Sequence, residues 1–155
     1  MRADYRSVLP EVVEAMLGLE RVAGSNIEDE RLAHLIRLRA SQINHCAFCV
    51  RLHAAEARGA GESEERLQMV AVWREAECFT AAERAALAWC EALTLLTERE
   101  VSDELYAELA RHFSEREIVA LTLAVVAING WNRLNVGFRT PAKEAARVAS
   151  GELRS

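Results

Sequence analysis

Residues that break or disorder a fold are scarce here: seven glycines and two prolines in 155 residues. Beside 51% hydrophobic and 28% charged residues, that scarcity excludes a disordered, collagen-like or low-complexity chain. Basic runs are missing as well. The formal net charge is -5, and no cluster of Lys or Arg supplies the electrostatic footprint that nucleic acid requires. The most apolar stretch, Ile118 to Ile128, falls well short of the roughly 20 residues that cross a bilayer as a helix, so no membrane partner is expected. Met1 to Glu20 carries charges throughout and lacks the apolar core and small-residue cleavage site of a secretory signal. The expected compartment is the cytoplasm. Four cysteines in that setting argue against a structural disulfide framework, and a close pair among them points to metal or redox chemistry.

What is present reads as helix. Capping boxes, in which a hydroxyl satisfies a free backbone donor and an acidic residue three positions on reaches back, are expected at Ser25 with Glu28, Thr80 with Glu83 and Ser114 with Glu117. Pro10 suits a first helical position, where its missing donor costs nothing, and Gly24 and Gly59 suit helix ends. Helices are expected near 10–22, 27–43, 45–58, 63–75, 81–97, 103–112 and 115–136, with no strand. The expected architecture is all-α: one compact bundle of about seven helices forming a single domain over residues 1–155. Ile118 to Ile128 is apolar on every side, which predicts a helix surrounded by others in the core or at a subunit contact, and so a homo-oligomer. The tail after Pro141, ending Gly-Glu-Leu-Arg-Ser, is helix-capable but weakly apolar and is expected to fray or pack on a neighbour.

The chemistry gathers at Ser41-Gln-Ile-Asn-His-Cys46-Ala-Phe-Cys49-Val-Arg-Leu-His53. On one helix Cys46 and Cys49 lie a turn apart, compatible with the roughly 4.4 to 6.8 Å between alpha carbons that a disulfide needs. His53, four residues past Cys49, shares that stripe and can take a proton from a thiol. The thiolate is the nucleophile, and a free thiol of pKa near 8.5 is only slightly ionised at neutral pH, so a base and a helix N-terminus both help. Peroxide converts one thiolate to a sulfenic acid, which a second thiol a turn away condenses with before over-oxidation. Zinc is the competing reading of the same residues, but one helix splays three ligands poorly and no second Cys-x-x-Cys occurs. Cys78 and Cys90 read as small core fillers, and His45 and His112 as solvent-facing or capping residues.

Three blocks carry a resemblance. Ser41-Gln-Ile-Asn with Cys46-Ala-Phe-Cys49, His53 and Gly59, the helix Thr80-Ala-Ala-Glu-Arg-Ala-Ala-Leu-Ala-Trp, and Ile128-Asn-Gly-Trp-Asn-Arg-Leu-Asn together resemble the alkylhydroperoxidase D-like proteins of the carboxymuconolactone decarboxylase superfamily, over about residues 30 to 140. The resemblance implies a helical bundle assembling as a homo-trimer or homo-hexamer. It also implies a peroxidase that uses no metal or organic cofactor and draws electrons from a protein or small dithiol. By the same resemblance Cys49 attacks the peroxide, Cys46 resolves and His53 relays the proton. The glutamate that members of the family carry twelve positions before the first cysteine is His34 here, and Phe48 stands where some members have a histidine. His34, with Glu30 a turn earlier to orient it, is the candidate substitute in the relay. Asn129, Asn132 and Arg133 are expected to cap a buried helix or hold a subunit contact. Lactone decarboxylation and a non-enzymatic redox-sensing oligomer are the alternatives to peroxide reduction. Two thiols a turn apart are of no use to the first, and turnover with a dithiol distinguishes the second.

Overall fold

Most helices begin where the chain offers a side-chain acceptor for their free backbone donors. The computed structural model describes residues 1–149, and among these it contains α1 (Tyr5–Val8), α2 (Glu11–Gly24), α3 (Glu30–Ile43), α4 (Ala47–Gly59), α5 (Glu64–Met69), α6 (Ala81–Thr94), α7 (Asp103–Ala110), α8 (Glu115–Phe138) and α9 (Ala145–Ala149), with no strand. Short 3-10 turns at Val70–Val72 and Ala142–Glu144 join α5 to its loop and lead into α9. The reciprocal capping boxes at Thr80/Glu83 and Ser114/Glu117 are both formed. Ser25 departs from expectation. Because α2 runs through Gly24, Ser25 still has helical backbone and turns its hydroxyl back to the Arg21 carbonyl at 2.8 Å. Asp29, in extended conformation, caps α3 instead, accepting from the amides of Arg31 and Leu32. Pro10 likewise sits one residue outside α2, as its cap.

Amphipathic periodicity places α3 at the centre, packed against α4, α6 and α8. Leu32, Ile36 and Ala40 recur at the spacing of one helical face and join Cys46, Phe48, Cys49, Trp89, Leu121, Val125 and Ile128 in the main core. The neighbouring face, with Leu35 and Leu38, packs on Ala57, Leu67, Val70, Trp73, Phe79 and Leu87. Between α3 and α6, Glu91 is fully buried, accepting from Trp73 Nε1 at 2.9 Å, Arg39 Nε at 2.7 Å, Arg74 at 2.5 Å and Arg99 at 3.1 Å. Burial alone would raise its carboxyl, but the hydrogen bonds from Trp73, Arg74 and Arg39 outweigh that and hold it below the usual carboxylate range.

The long α8 is apolar on all sides between Ile118 and Ile128 but is not buried on all of them. Ile118, Leu121, Val125 and Ile128 are buried, whereas Val119 and Val126 are 68% and 53% exposed on one stripe. No helix among the described residues is long and apolar enough to cross a membrane. The tail is helical as far as Ala149, with Ala145 buried in the main core and α9 packed on α4. The closing Gly-Glu-Leu-Arg-Ser lies outside the described residues.

Candidate active site

The site begins at the turn between α3 and α4. His45 has a φ of 54°, in the left-handed region, and the Cys46 amide donates to the Ser41 carbonyl at 3.0 Å across it. This is a Schellman-type ending, in which the left-handed position is usually glycine because a Cβ is strained there. His45 is exposed. His45→Gly is therefore expected to stabilise the protein by about 0.5–1 kcal/mol, read as a higher midpoint in thermal denaturation.

The turn leaves Cys46 with an extended backbone, φ -87° and ψ 92°, as the residue capping α4. This corrects the expectation that the helix runs through both cysteines from about residue 45: the left-handed turn at His45 and the extended Cys46 delay its start to Ala47. The consequence is chemical, because the Cys46 Sγ accepts from the Cys49 amide at 3.3 Å and lies at the positive end of the helix. The neighbouring Cys49 side chain, the Cys49 amide and Asn132 together hold the Cys46 thiol below its ordinary value despite burial. Cys49 moves the other way. The neighbouring Cys46 sulfur and burial both push its thiol up. Both residues are only 1% exposed.

One turn further, His53 is buried and its Nδ1 lies 2.8 Å from Glu56 Oε2. Burial raises the Glu56 carboxyl, but the hydrogen bond and charge of His53 outweigh it and hold Glu56 low, hence ionised at neutral pH. A carboxylate only accepts, so Nδ1 carries the proton and Nε2 of a neutral ring keeps its lone pair. His34 reaches the same carboxylate from α3, with Nδ1 3.7 Å from Glu56 Oε2 and Nε2 3.6 Å from Glu30 Oε1. Neither separation is a hydrogen bond. Among the described residues His34 Nδ1 is buried with no hydrogen-bond partner, and burial lowers the ring's affinity for a proton, Arg37 and His53 adding to the effect while Glu56 opposes it. Polar atoms of His34, His53 and Glu56 all lie within 4.8 Å of one another. Two nitrogens and an oxygen fall one ligand short of a closed zinc site, and among the described residues no cysteine joins the group.

The opposite wall is α8. Asn129, Asn132 and Arg133 do not end this helix, which continues to Phe138. Asn132 is buried and donates to Ser41 Oγ at 3.1 Å, and the Asn44 amide donates to Asn132 Oδ1 at 2.9 Å and Asn129 Oδ1 at 3.0 Å. These bonds fix the turn that delivers Cys46. Asn135, one turn on, donates from Nδ2 to Cys49 Sγ at 3.5 Å. Arg133 points outward and bonds to Asn129. The other cysteines stand apart. Cys90 is buried, donates to the Ile36 carbonyl and has its thiol pushed up to about 12 by burial, and Cys78 is half-buried. His112 faces Glu108 near the end of α7.

The structure thus brings His34 of α3 to His53 and Glu56 of α4, and Cys46 to Cys49 at the start of α4, as two groups along the same helix. Sequence reasoning missed Glu56, Asn135 and Tyr5. Glu56 carried a legible signal, an acidic residue one turn beyond His53. Asn135 stood at the end of a quoted motif without a role, and Tyr5 had no local signal at all.

A buried dithiol at a helix N-terminus, walled by an asparagine-bearing helix inside an all-α bundle, defines an alkylhydroperoxidase D-like class of protein. Comparison places the chain further: residues 10–92 match the carboxymuconolactone decarboxylase family, and the chain belongs to that family. It is 35% identical over 135 residues to the uncharacterized protein YdfG of Bacillus subtilis (strain 168), covering 87% of this chain and 92% of YdfG. To the uncharacterized protein YnjA of Escherichia coli (strain K12) it is 31% identical over 120 residues, covering 77% of this chain and 65% of YnjA. A solved Agrobacterium tumefaciens protein of unknown function, named as a candidate antioxidant defence protein AhpD, is similar with 44% identity and a TM-score of 0.87 over 90% of this chain and 96% of that one. A debrominase solved with 2,3,4-tribromopyrrole shares the fold at 20% identity, with a TM-score of 0.80 over 94% of this chain and 78% of that one.

Proposed function

We propose that the protein is a thiol-dependent hydroperoxide reductase in which Cys46 and Cys49 cycle between dithiol and disulfide. One observation carries this reading: two buried cysteines one turn apart, the first of them accepting the amide of the second at a helix N-terminus that favours its thiolate, on the same helix as a histidine whose tautomer a carboxylate fixes. The thiolate attacks the peroxide, the O–O bond breaks, and the sulfur becomes a sulfenic acid as an alcohol or water leaves with a proton. The second thiol, deprotonated toward His53, attacks that sulfur, forming the S–S bond and expelling hydroxide as water. A small or protein dithiol, itself oxidised to a disulfide, restores the pair.

The resemblance gives the attack to Cys49 and resolution to Cys46. Local fields favour the reverse order, because Cys46 receives the amide of Cys49 and gives up its proton first. We therefore assign the first attack to Cys46 and the resolving step, with His53 as base, to Cys49. No metal or organic cofactor enters this cycle. The setting proposed is the cytoplasm, where thiols stay reduced. A homo-trimer or homo-hexamer that covers the stripe of Val119 and Val126 is part of the same proposal. Peroxide consumption coupled to dithiothreitol tests the reading: steady turnover supports it, and oxidation of the pair without turnover leaves a sensor in its place.

His34 takes the place of the relay carboxylate in this reading, held toward His53 through Glu56. Because burial lowers its affinity for protons, His34 stays neutral at pH 7 and charges only below the ordinary histidine value of about 6.5. Activity is expected to fall in that acid range. A base whose folded pKa is depressed stabilises the native state above its unfolded value, and that stabilisation is lost as pH falls through the folded one. His34→Glu should preserve turnover and move the acid limb lower, while His34→Ala should depress turnover with the fold intact. An unchanged pH-rate profile in His34→Ala would leave the relay to His53 and Glu56.

A further inference from the structure

Cys49 must become a thiolate twice in the proposed cycle, when it resolves the sulfenic acid and when it leaves the reduced disulfide, yet the helix N-terminus serves Cys46. We infer that Asn135 is the catalytic hydrogen-bond donor to the Cys49 thiolate, held in its donating orientation by the phenol of Tyr5 from the N-terminal helix. This inference rests on Cys46 and Cys49 being the redox pair.

The orientation of the amide is determined by its neighbours. Asn135 Nδ2 has two hydrogens and two acceptors, the Trp131 carbonyl at 3.0 Å and Cys49 Sγ at 3.5 Å. Its Oδ1 accepts from the Tyr5 hydroxyl at 3.2 Å. Flipped, the amide would set Oδ1 against the Trp131 carbonyl oxygen and withdraw Nδ2 from both that carbonyl and Cys49 Sγ, keeping the Tyr5 hydroxyl alone, as an acceptor. Tyr5 and Asn135 are both buried, so water cannot substitute. Burial holds the Tyr5 phenol above its ordinary value, and a neighbouring Cys49 charge raises it further while Arg6 opposes both. The hydroxyl thus keeps the proton it donates.

Tyr5 reaches this position because α1 is tied to the far end of α8. The Arg2 amide donates to the Phe138 carbonyl at 2.8 Å, the Arg2 guanidinium donates to the Gly137 carbonyl at 3.1 Å, and the Tyr5 ring packs 5.6 Å from that of Phe138. Arg6 lies over the rings of Tyr5 and Phe48, at 5.3 Å from each, and pairs with Glu144 beyond them. The first eight residues therefore form a wall of the site. On reduction, the dithiol's thiolate attacks Cys46 Sγ, the S–S bond breaks, and Cys49 leaves with the electron pair as the thiolate that Asn135 stabilises. The reductant's second thiol then displaces Cys46 and completes a new disulfide.

The test is titration of the Cys49 thiolate by ultraviolet absorbance in full-length Cys46→Ser, referenced to Cys46→Ser/Cys49→Ser so that Cys78 and Cys90 cancel. Tyr5 titrates beside Cys49, and the other charged and titratable groups on the elements packed here are Arg6 of α1, His53 and Glu56 of α4, His34 of α3 and Glu144 before α9; Asn135→Leu leaves all of them in place. That change is expected to raise the Cys49 midpoint by about one unit, a tenfold loss of thiolate at neutral pH. Tyr5→Phe, which keeps the ring but frees the amide to turn, should raise it by a few tenths of a unit and slow reduction of the parent disulfide by dithiothreitol in proportion. Midpoints unmoved by both substitutions would overturn the inference, and if Asn135→Leu fails to fold, Tyr5→Phe alone decides. These readouts need no peroxidase turnover, so they stand or fall apart from the proposed activity.

Discussion

Serine at either Cys46 or Cys49 is expected to lower dithiol-dependent peroxide turnover by about a thousandfold or more, because each sulfur performs a step that the other cannot repeat. The two variants should fail differently. Cys49→Ser keeps the Cys46 sulfur at the end of α4, where the amide of residue 49 still points at it, but removes the resolving thiol. One equivalent of peroxide should then leave a sulfenic acid on Cys46 that a cyclic dione captures. Cys46→Ser leaves a thiol whose ordinary environment is burial, and its reaction with peroxide should be slower by about tenfold or more at pH 7. Fast trapping at Cys49 in Cys46→Ser, with none at Cys46 in Cys49→Ser, restores the order implied by family resemblance.

The largest effect on stability is expected from Glu91→Ala. Glu91 is 0% exposed and is the shared acceptor of Arg39, Arg74, Arg99 and the Trp73 indole. Removing the carboxylate leaves Arg39 largely buried and the indole donor unpaired, and breaking a buried ion pair from one side costs about 3–5 kcal/mol. For a chain of this size that is a drop of about 10 °C in the thermal midpoint. Because burial is opposed by several hydrogen bonds that keep Glu91 ionised, the same stabilisation should fade in acid, as pH falls through its lowered folded value. An alanine variant that melts within about 2 °C of the parent would show that the cluster is replaceable packing.

The helices were legible where the signal is local. A hydroxyl with an acidic residue three positions on fixes the starts at Thr80 and Ser114, and the spacing of apolar residues on α3 assigns its core faces. Failures came where a neighbouring turn decides. Ser25 had the pattern of a helix start, but α2 extended far enough to claim it as an ending, and the left-handed His45 moved Cys46 out of the helix that its spacing implied. That one-residue difference puts the Cys46 sulfur at the amide end of α4. Tertiary partners were hidden for another reason. Tyr5 lies 130 residues from Asn135, and no periodicity records a contact of that kind. Glu56 shows the intermediate case, visible as a charge one turn from His53 yet meaningful only when His34 arrives from α3.

The most direct measurement is peptide mapping by mass spectrometry under non-reducing conditions, after the reduced protein receives one equivalent of hydrogen peroxide and before any reductant is added. The predicted product is one bridged peptide pair joining Cys46 to Cys49, lighter by two hydrogens, with Cys78 and Cys90 still free thiols and the bridge reopened by dithiothreitol. Unchanged Cys46 and Cys49 thiols, or oxidation falling first on Cys78 or Cys90, would contradict a redox centre at the start of α4.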